Sequence, residues 1–159
     1  MIVKKADIED YPAVFEIWRL LRDSKDHAFK IEGGDAEFKI LFKANLSSPL
    51  VQVWAVYAPG AVSGGQCLAF AITQVVVTPV PDSNGIVHNS AQLFIRAVYA
   101  RHGSHVEAIK ALQEEFLKFC KANGCHSIFG NCRLDFNVKA AERAYGWKPK
   151  YIVMAKEVE

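Results

Sequence analysis

Residues 91–125 constrain the fold more than any other part of the chain, because they combine a strand, a short basic turn and a long amphipathic helix. β-branched and aromatic side chains indicate the strand: Leu93, Phe94, Ile95, Val98 and Tyr99. Apolar side chains three or four positions apart indicate the helix, since this spacing places them on one face: Val106, Ile109, Leu112, Phe116, Phe119 and Cys120.

Both ends of this helix carry recognisable signals. Ser104, followed three positions later by Glu107, has the spacing of a capping box and predicts that the helix begins at His105. Gly124 predicts a left-handed cap at the other end. A strand that leads through a short turn into a helix leaves the first helical amides pointing outward, where they favour an anion such as a phosphate.

The N-terminal part of the chain predicts a short strand and two helices. The strand covers residues 2–5, and Pro12 in a first turn places the first helix at 10–22. Its buried stripe is predicted to contain Val14, Ile17, Trp18 and Leu21. A loop at 24–34 separates it from a second helix that begins at Asp35. This helix is predicted to turn Phe38, Leu41 and Phe42 inward.

Three long strands follow, at residues 51–58, 66–78 and 86–99, and Pro79 and Pro81 are predicted to end the second. They should form an antiparallel meander. A strand at 126–132 follows the long helix and should return parallel to the strand before it. A short helix at 135–144 and a strand at 151–156 complete one α+β domain, 1–159, whose mostly antiparallel mixed sheet has helices on both faces.

Strict alternation predicts which residues of the central strand share a face. One face should carry Gln92, Phe94, Arg96 and Val98. The opposite face should carry Leu93, Ile95, Ala97 and Tyr99.

Three segments together resemble the GCN5-related N-acetyltransferase (GNAT) superfamily, and the resemblance covers nearly the whole chain. VKKADIEDYPAVFEIWRLL resembles the first strand and helix of that family. AVYARHGSHVEAIKALQEEFLKFCKANGC resembles its central strand, pyrophosphate loop and following helix, and AERAYGWKPKYIVMAKEV resembles its last helix, Gly-aromatic turn and final strand.

The resemblance implies an acetyl-CoA cofactor and an amine substrate, either a small molecule or a protein. It implies that the pyrophosphate lies over the main-chain amides at the start of the long helix. The implied cofactor-binding residues are Val98, Tyr99, Ala100, Arg101, His102, Gly103, Ser104, His105, Val106 and Asn137. His27 and Phe29, in the segment that forms a wall of the acceptor cleft in that family, are candidate substrate contacts; an exposed histidine and a core phenylalanine are the alternatives.

The pyrophosphate loop departs from the family pattern of Gln or Arg, two residues, Gly, one residue, then Gly or Ala. With Gly103 as the first glycine, Ala100 replaces the Gln or Arg and His105 replaces the second glycine. Basic side chains in the loop favour an anion, whereas Glu107 in the first helical turn opposes one. The alternative interpretation is a capped helix without a ligand.

The catalytic groups are less well defined by the resemblance. The family tyrosine that protonates the leaving thiolate has Tyr145 as its nearest counterpart, and a core role for this ring is the alternative. The central strand carries no Asp or Glu between residues 91 and 100 that could accept the proton of the amine. Gln92, a poor base, could hold a water molecule, and His88 and, on the next strand, Asn131 are further candidates; the resemblance also leaves open that bound water replaces a side-chain base.

Composition excludes several classes of protein. The net charge of +2 is too small to indicate nucleic-acid binding, and no apolar run approaches a membrane span. The four cysteines predict free thiols in a cytoplasmic protein rather than a disulfide scaffold. A zinc site built from Cys120, Cys125, His126 and Cys132 is disfavoured because Cys120 belongs to an apolar helix face, so no metal is predicted.

Two functions remain open. The first is an acetyl-CoA-dependent N-acetyltransferase that acts as a monomer or homodimer. The second is a catalytically inactive GNAT-fold protein that binds an acyl-CoA or a protein partner. A different α+β fold without a cofactor is a third possibility.

Overall fold

A computed structural model describes residues 1–23, 33–60, 66–101, 103–130 and 146. A 3-10 turn at Ile8–Asp10 joins the first strand to the first helix. The remaining elements, in chain order, are β1 (Ile2–Lys5), α1 (Tyr11–Arg22), α2 (Asp35–Ser47), β2 (Val51–Tyr57), β3 (Cys67–Pro81), β4 (Val87–Ala100), α3 (His105–Asn123) and β5 (Ser127–Gly130).

The five strands form one mixed sheet in the order β1-β2-β3-β4-β5. The first four strands are antiparallel neighbours, and β5 pairs parallel to β4. The predicted meander and the parallel return after the long helix are therefore confirmed. Residues 131–159, apart from Gly146, lie outside the described part of the chain, and so do the helix and strand predicted there.

Each face of the sheet carries its own hydrophobic core. On one face, α1 and α2 pack through Val14, Ile17, Trp18, Phe38 and Phe42 against β2 and β3. On the other face, α3 packs through Ala108, Leu112, Phe116 and Cys120 against Trp54, Val56, Ala69, Ala71 and Leu93. This is the layered arrangement that the sequence predicts. In the described residues, no helix is long and apolar enough to cross a membrane.

β3 runs through both of the prolines that were predicted to end it. Asp82 N donates to Ile86 O over 2.9 Å, so Asp82 and Ile86 form the hydrogen-bonded pair nearest the turn. Hydrogen-bonded and non-hydrogen-bonded pairs alternate from there along the two strands. Pro81 and Pro79 then fall at alternate, non-hydrogen-bonded positions opposite Val87 and Asn89, so the ring nitrogens face the outer edge of β3. Neither proline removes a bond between β3 and β4, and the strand continues.

Two predictions about the helices are wrong. Leu41 is 47% exposed rather than inward, because only Phe38, Phe42 and Asn45 of α2 point at the sheet. The Ser104 side chain makes no capping hydrogen bond, since its backbone (φ −118°, ψ 6°) is outside the extended conformation that a capping serine adopts. The predicted start at His105 is nevertheless confirmed, and Gly124 forms the left-handed cap with φ 67°.

Strict alternation along β4 is also wrong, and a β-bulge explains why. Thr73 of β3 pairs with Ile95, but the preceding residue, Ile72, pairs with Ala97, so Arg96 is an extra residue with no partner on β3. After the bulge the side chains exchange faces. Val98 therefore packs with Ile95 and Leu93 against the α3 core, while Tyr99 packs against the α1–α2 core.

Candidate functional site

The bulge at Arg96 lies directly after the last described pair between the two parallel strands. β4 and β5 pair from Gln92 with Ser127 to Ile95 with Gly130. A bulge bends its strand and increases the local twist. The part of β4 beyond Ile95 therefore bends away from the line of the strand before it.

The N-terminus of α3 follows the carboxyl end of β4 after four residues. Gly103 has φ 88°, and a Cβ atom added there would meet nothing within 4 Å, so the turn leaves open space beside the helix start. The first intrahelical bond here runs from Ala108 N to Ser104 O over 3.0 Å. The amides of Val106 and Glu107 lie in the first turn of α3, whose N–H groups have no partner within the helix. This end of α3 is suited to bind an anion.

Two amides of the predicted loop already donate within the protein. Arg101 N donates to Leu68 O over 2.8 Å, and Ser104 N donates to Arg101 O over 3.3 Å. Any pyrophosphate at this turn would therefore rely on the amides of the first turn of α3.

The Arg101 side chain extends towards α1 and β3. Its Nε donates to Cys67 O over 2.8 Å. Its Nη2 lies 2.8 Å from Glu16 Oε1, an ion pair by distance without the alignment of a hydrogen bond. With 16% of its side chain exposed, Arg101 joins the end of β4 to the neighbouring elements.

The other loop residues divide between the two faces of the sheet. Val98 and Ala100 contact the α3 core, and Tyr99 stacks on Phe70 with ring centroids 4.7 Å apart. Glu107 is exposed in the first turn of α3, next to the candidate anion site.

The α1–α2 side of the bulge carries a second group of side chains. Arg96 Nη1 donates to Oδ1 of Asn45 in α2 over 3.3 Å. Phe94 stacks on Phe129 with centroids 4.9 Å apart and rings inclined by 24°. An aromatic pair and an exposed guanidinium therefore lie beside the last described pair of β4 and β5.

Comparison with known proteins identifies the fold. No family model matches the chain, and no curated protein matches it. Solved structures do: an aminoglycoside 6′-N-acetyltransferase from Acinetobacter haemolyticus is 16% identical, with a TM-score of 0.70 and all of both chains covered. A glucosamine-6-phosphate N-acetyltransferase from Arabidopsis thaliana is 18% identical, with a TM-score of 0.60 over 99% of this chain and 98% of that one.

The chain has the GNAT fold. A transcriptional regulator from Bacillus halodurans C-125 is also similar, with 14% identity and a TM-score of 0.71 over 99% of both chains. At these identities the likeness establishes the fold, as the sequence resemblance predicted.

Several candidate residues lie outside the described part of this GNAT fold. They are His27, Phe29, His102, Asn131, Asn137 and Tyr145. Their assignments as substrate, cofactor or catalytic contacts stay predictions.

The remaining proton-handling candidates lie on the N-terminal half of β4. His88 Nε2 is 3.1 Å from Asp82 Oδ2 in the β3–β4 hairpin, seven residues before Ile95. Gln92 pairs with Ser127 within the sheet. The Ser90 hydroxyl contacts His126 Nε2, a pair that bridges β4 and the residue before β5. Sequence reasoning missed this pair because the two residues meet only through the strand register.

A buried polar cluster joins β1, the first turn and β2 on the α1–α2 side. Asp10 is 5% exposed and accepts from Tyr57 Oη (2.5 Å), Lys4 Nζ (2.9 Å) and Asp7 N (2.9 Å). Burial alone would raise the pKa of Asp10, but these donors outweigh it and lower that pKa. Burial, together with the Asp10 carboxylate, raises the pKa of Tyr57. Every group has a partner, which indicates a structural cluster.

The cysteines and acidic residues do not form a metal site within the described ranges. No group of three or more His, Cys, Asp or Glu side chains there could hold an ion. Cys67, Cys120 and Cys125 are buried free thiols, and Cys132 lies outside the described residues. Burial raises the pKa of Cys67 to about 11, and burial followed by the neighbouring Cys125 raises that of Cys120 to about 11.

Proposed function

We propose that this GNAT-fold chain is an acetyl-CoA-dependent N-acetyltransferase that acts on an amine. The observation that carries the proposal is the bulge at Arg96, placed directly after the Ile95–Gly130 pair and followed by the α3 N-terminus at the end of the same strand. Two of the similar solved structures are N-acetyltransferases of small amines by their names, which supports the same reaction class.

The residues present fit the coenzyme in part. The first-turn amides of α3 would hold the pyrophosphate, and the turn before them has open space at Gly103. Coenzyme A supplies an acyl group activated as a thioester. Glu107 opposes an anion at this helix end, so the site should bind the coenzyme more weakly than one with a neutral residue there.

The chain's own residues would orient the acceptor on the α1–α2 side of the sheet. Phe94 and Phe129 offer an apolar surface beside the bulge, and Arg96 a positive charge. Attack on a carbonyl requires a neutral amine, hence a proton acceptor in reach. Ser90 with His126 is the described pair that could accept a proton through a chain of bound water, since it lies five residues, roughly 17 Å, before Ile95. Tyr145 is proposed as the residue that returns a proton to the leaving thiolate.

A catalytically inactive GNAT-fold protein is the second candidate. Two observations favour it. The backbone amides of Arg101 and Ser104 already donate hydrogen bonds within the protein, and the Arg101 side chain contacts Cys67 and Glu16 rather than the start of α3. Such a protein would bind an acyl-CoA, or a protein partner, without transferring the group.

A transfer assay separates the two functions. The purified chain is incubated with acetyl-CoA and a panel of primary amines that includes an aminoglycoside and glucosamine 6-phosphate, and acetylated products are measured by mass spectrometry. Enzyme-dependent acetylation of any amine is the expected result. Saturable acetyl-CoA binding without acetylation across the panel would favour the inactive binding protein.

A further inference from the structure

Arg96 is held by a neutral group, unlike two other arginines of the described chain. Arg22 forms ion pairs with Asp23 and Asp35, and Arg101 forms one with Glu16. Arg96 instead donates to the side-chain amide oxygen of Asn45 over 3.3 Å, and no carboxylate pairs with it among the described residues. An amide oxygen orients a guanidinium without cancelling its charge.

The position of Arg96 follows from the bulge. As the extra residue of β4 it has no partner on β3, and its side chain reaches α2 on the α1–α2 face. Bulges often re-aim a side chain next to an active site. Arg96 is an exposed residue, and it lies on the side of the sheet where we place the acceptor.

Asn45 is an unusual residue at the place that it occupies. It is 5% exposed, on the inward face of α2 one turn after Phe42. Its Nδ2 is buried and makes no hydrogen bond among the described residues. A buried polar group left half satisfied is destabilising, and an apolar residue would pack there without that penalty. The contact to Arg96 is the only hydrogen bond described for this side chain, which indicates that orienting the guanidinium is its role.

The surroundings limit what Arg96 can bind. Phe94, two residues earlier on the same face, stacks on Phe129 of β5 and gives the guanidinium an apolar neighbour. Arginine forms strong, frequently bidentate hydrogen bonds to carboxylates and phosphates. An oriented guanidinium that has no carboxylate partner among the described residues, beside an aromatic pair, is therefore suited to a small acceptor with an anionic group.

We propose that Arg96, oriented by Asn45, is an anion subsite of the acceptor cleft, and that the acceptor amine carries a carboxylate or a phosphate. This inference rests on the proposed function for the identity of the acceptor. The anion subsite itself does not depend on acetyl-CoA, so it can be tested with the coenzyme absent.

The test is a titration of the ¹⁵N-labelled full chain with inorganic phosphate and, separately, with acetate at constant ionic strength. The wild type should show saturable shifts of the Arg96 Nε–H and Asn45 side-chain amide signals with at least one of the two anions. Arg96→Gln should weaken the binding at least tenfold. Arg19→Gln, which removes one exposed arginine from α1, should leave it within twofold of the wild type.

A second variant keeps Arg96 and pairs its positive charge with a carboxylate. Asn45→Asp places a carboxylate against the guanidinium and should weaken anion binding at least tenfold, because the ion pair competes with the ligand. A thermal unfolding transition checks that each variant is folded. Shifts confined to the start of α3, no saturable shifts with either anion, or unchanged binding in folded Arg96→Gln would each overturn the subsite.

The acceptor class is tested by matched amines in the transfer assay. Phenylalanine and O-phosphoethanolamine are compared with phenethylamine and ethanolamine, which lack the anionic group. The anionic member of at least one pair should be acetylated with at least tenfold higher kcat/KM, and Arg96→Gln should remove that preference. Equal or reversed preference in both pairs, or no acetylation of any of the four, would contradict the acceptor class. If the wild type binds no acetyl-CoA but phosphate still shifts the Arg96 signal, the proposed function fails while the anion subsite stands.

Discussion

Ile95 of β4 and Gly130 of β5 form the last described pair of the parallel strands, and the next residue of β4 has no partner on β3. A Cβ atom on Gly130 would lie 3.3 Å from Ile95 Cβ and 3.4 Å from Ile95 O, so glycine permits the close approach of the two strands here. The two strands are therefore in close contact at Ile95, the residue before the bulge in β4.

Deletion of Arg96 should remove the bulge while preserving the rest of the sheet. Ile95 would then precede Ala97, and both would keep their present partners on β3 and their present faces. We expect a folded protein whose affinity for acetyl-CoA, measured by calorimetry, falls more than tenfold because β4 no longer bends at this position. Arg96→Gln, which keeps the bulge, is the matched variant. Equal coenzyme affinity in the deletion variant and the wild type would show that coenzyme binding does not depend on the bulge.

Glu107→Gln should strengthen coenzyme binding. Glu107 is the acidic residue in the first turn of α3, and a charge at a helix terminus contributes roughly 0.3–1 kcal/mol. Removing it should improve the affinity for acetyl-CoA by about two- to fivefold at low salt, with a smaller gain at high salt. Glu114→Gln, an exposed change further along the same helix, should have no such effect. Weaker binding by Glu107→Gln would place the pyrophosphate elsewhere.

Arg101→Ala should reduce stability rather than coenzyme affinity. The guanidinium is mostly buried and donates to the Cys67 carbonyl, so its loss should lower the free energy of unfolding by about 1–3 kcal/mol in urea titrations. Glu16→Gln should cost less than about 1 kcal/mol, because Glu16 is 57% exposed. A large loss of acetyl-CoA affinity in folded Arg101→Ala would show that this side chain reaches the phosphates.

The cluster of Asp10, Tyr57 and Lys4 should make stability depend on pH at both ends of the range. The pKa of Asp10 lies below its usual value in the folded state, so its stabilising effect is present above about pH 4 and is lost as the pH falls through the folded-state pKa. The pKa of Tyr57 is raised, so its effect is present below about pH 10 and declines as the pH rises above that value.

Tyr57→Phe provides the test of this cluster. Losing the hydroxyl leaves the buried Asp10 carboxylate without one donor, which should lower the free energy of unfolding by about 1–3 kcal/mol at pH 7. The loss should shrink below pH 4, where the carboxylate becomes protonated, as measured by urea unfolding at several pH values. Tyr11→Phe is the control. A pH-independent difference between Tyr57→Phe and the wild type would rule out this coupling.

All four cysteines should be reduced in the natively isolated protein. The three described thiols are buried, and the raised pKa values of Cys67 and Cys120 disfavour the reactive thiolate. Intact mass should be the same before and after reduction, and labelling at pH 8 should be slow until the protein is unfolded. A two-dalton increase on reduction would reveal a disulfide.

Regular elements could be predicted from the sequence because each has a repeating pattern. The apolar spacing from Val106 to Cys120 predicted α3, and the Ser104–Glu107 spacing and Gly124 predicted its bounds. The apolar, β-branched runs predicted the antiparallel meander. Leu41 shows the limit of this reasoning. Its spacing suits the buried face of α2, yet Asn45 rather than Leu41 is turned towards the sheet.

The bulge and the acceptor-side contacts could not be predicted in the same way. One extra residue at Arg96 leaves no compositional signal, but it reverses the face of every later side chain on β4. Asn45 and Arg96 are 51 positions apart, and Ser90 and His126 are 36 apart. Each pair depends on how a helix or strand is placed against β4, which no local pattern determines.

Calorimetric titration of acetyl-CoA into the wild-type chain tests the central claim most directly. We expect saturable binding with one equivalent per chain. We also expect a rise in melting temperature that corresponds to roughly 2.7 kcal/mol when the free ligand reaches about 100 times its dissociation constant. A folded wild type that gives neither binding heat nor a change in melting temperature at millimolar acetyl-CoA would contradict it.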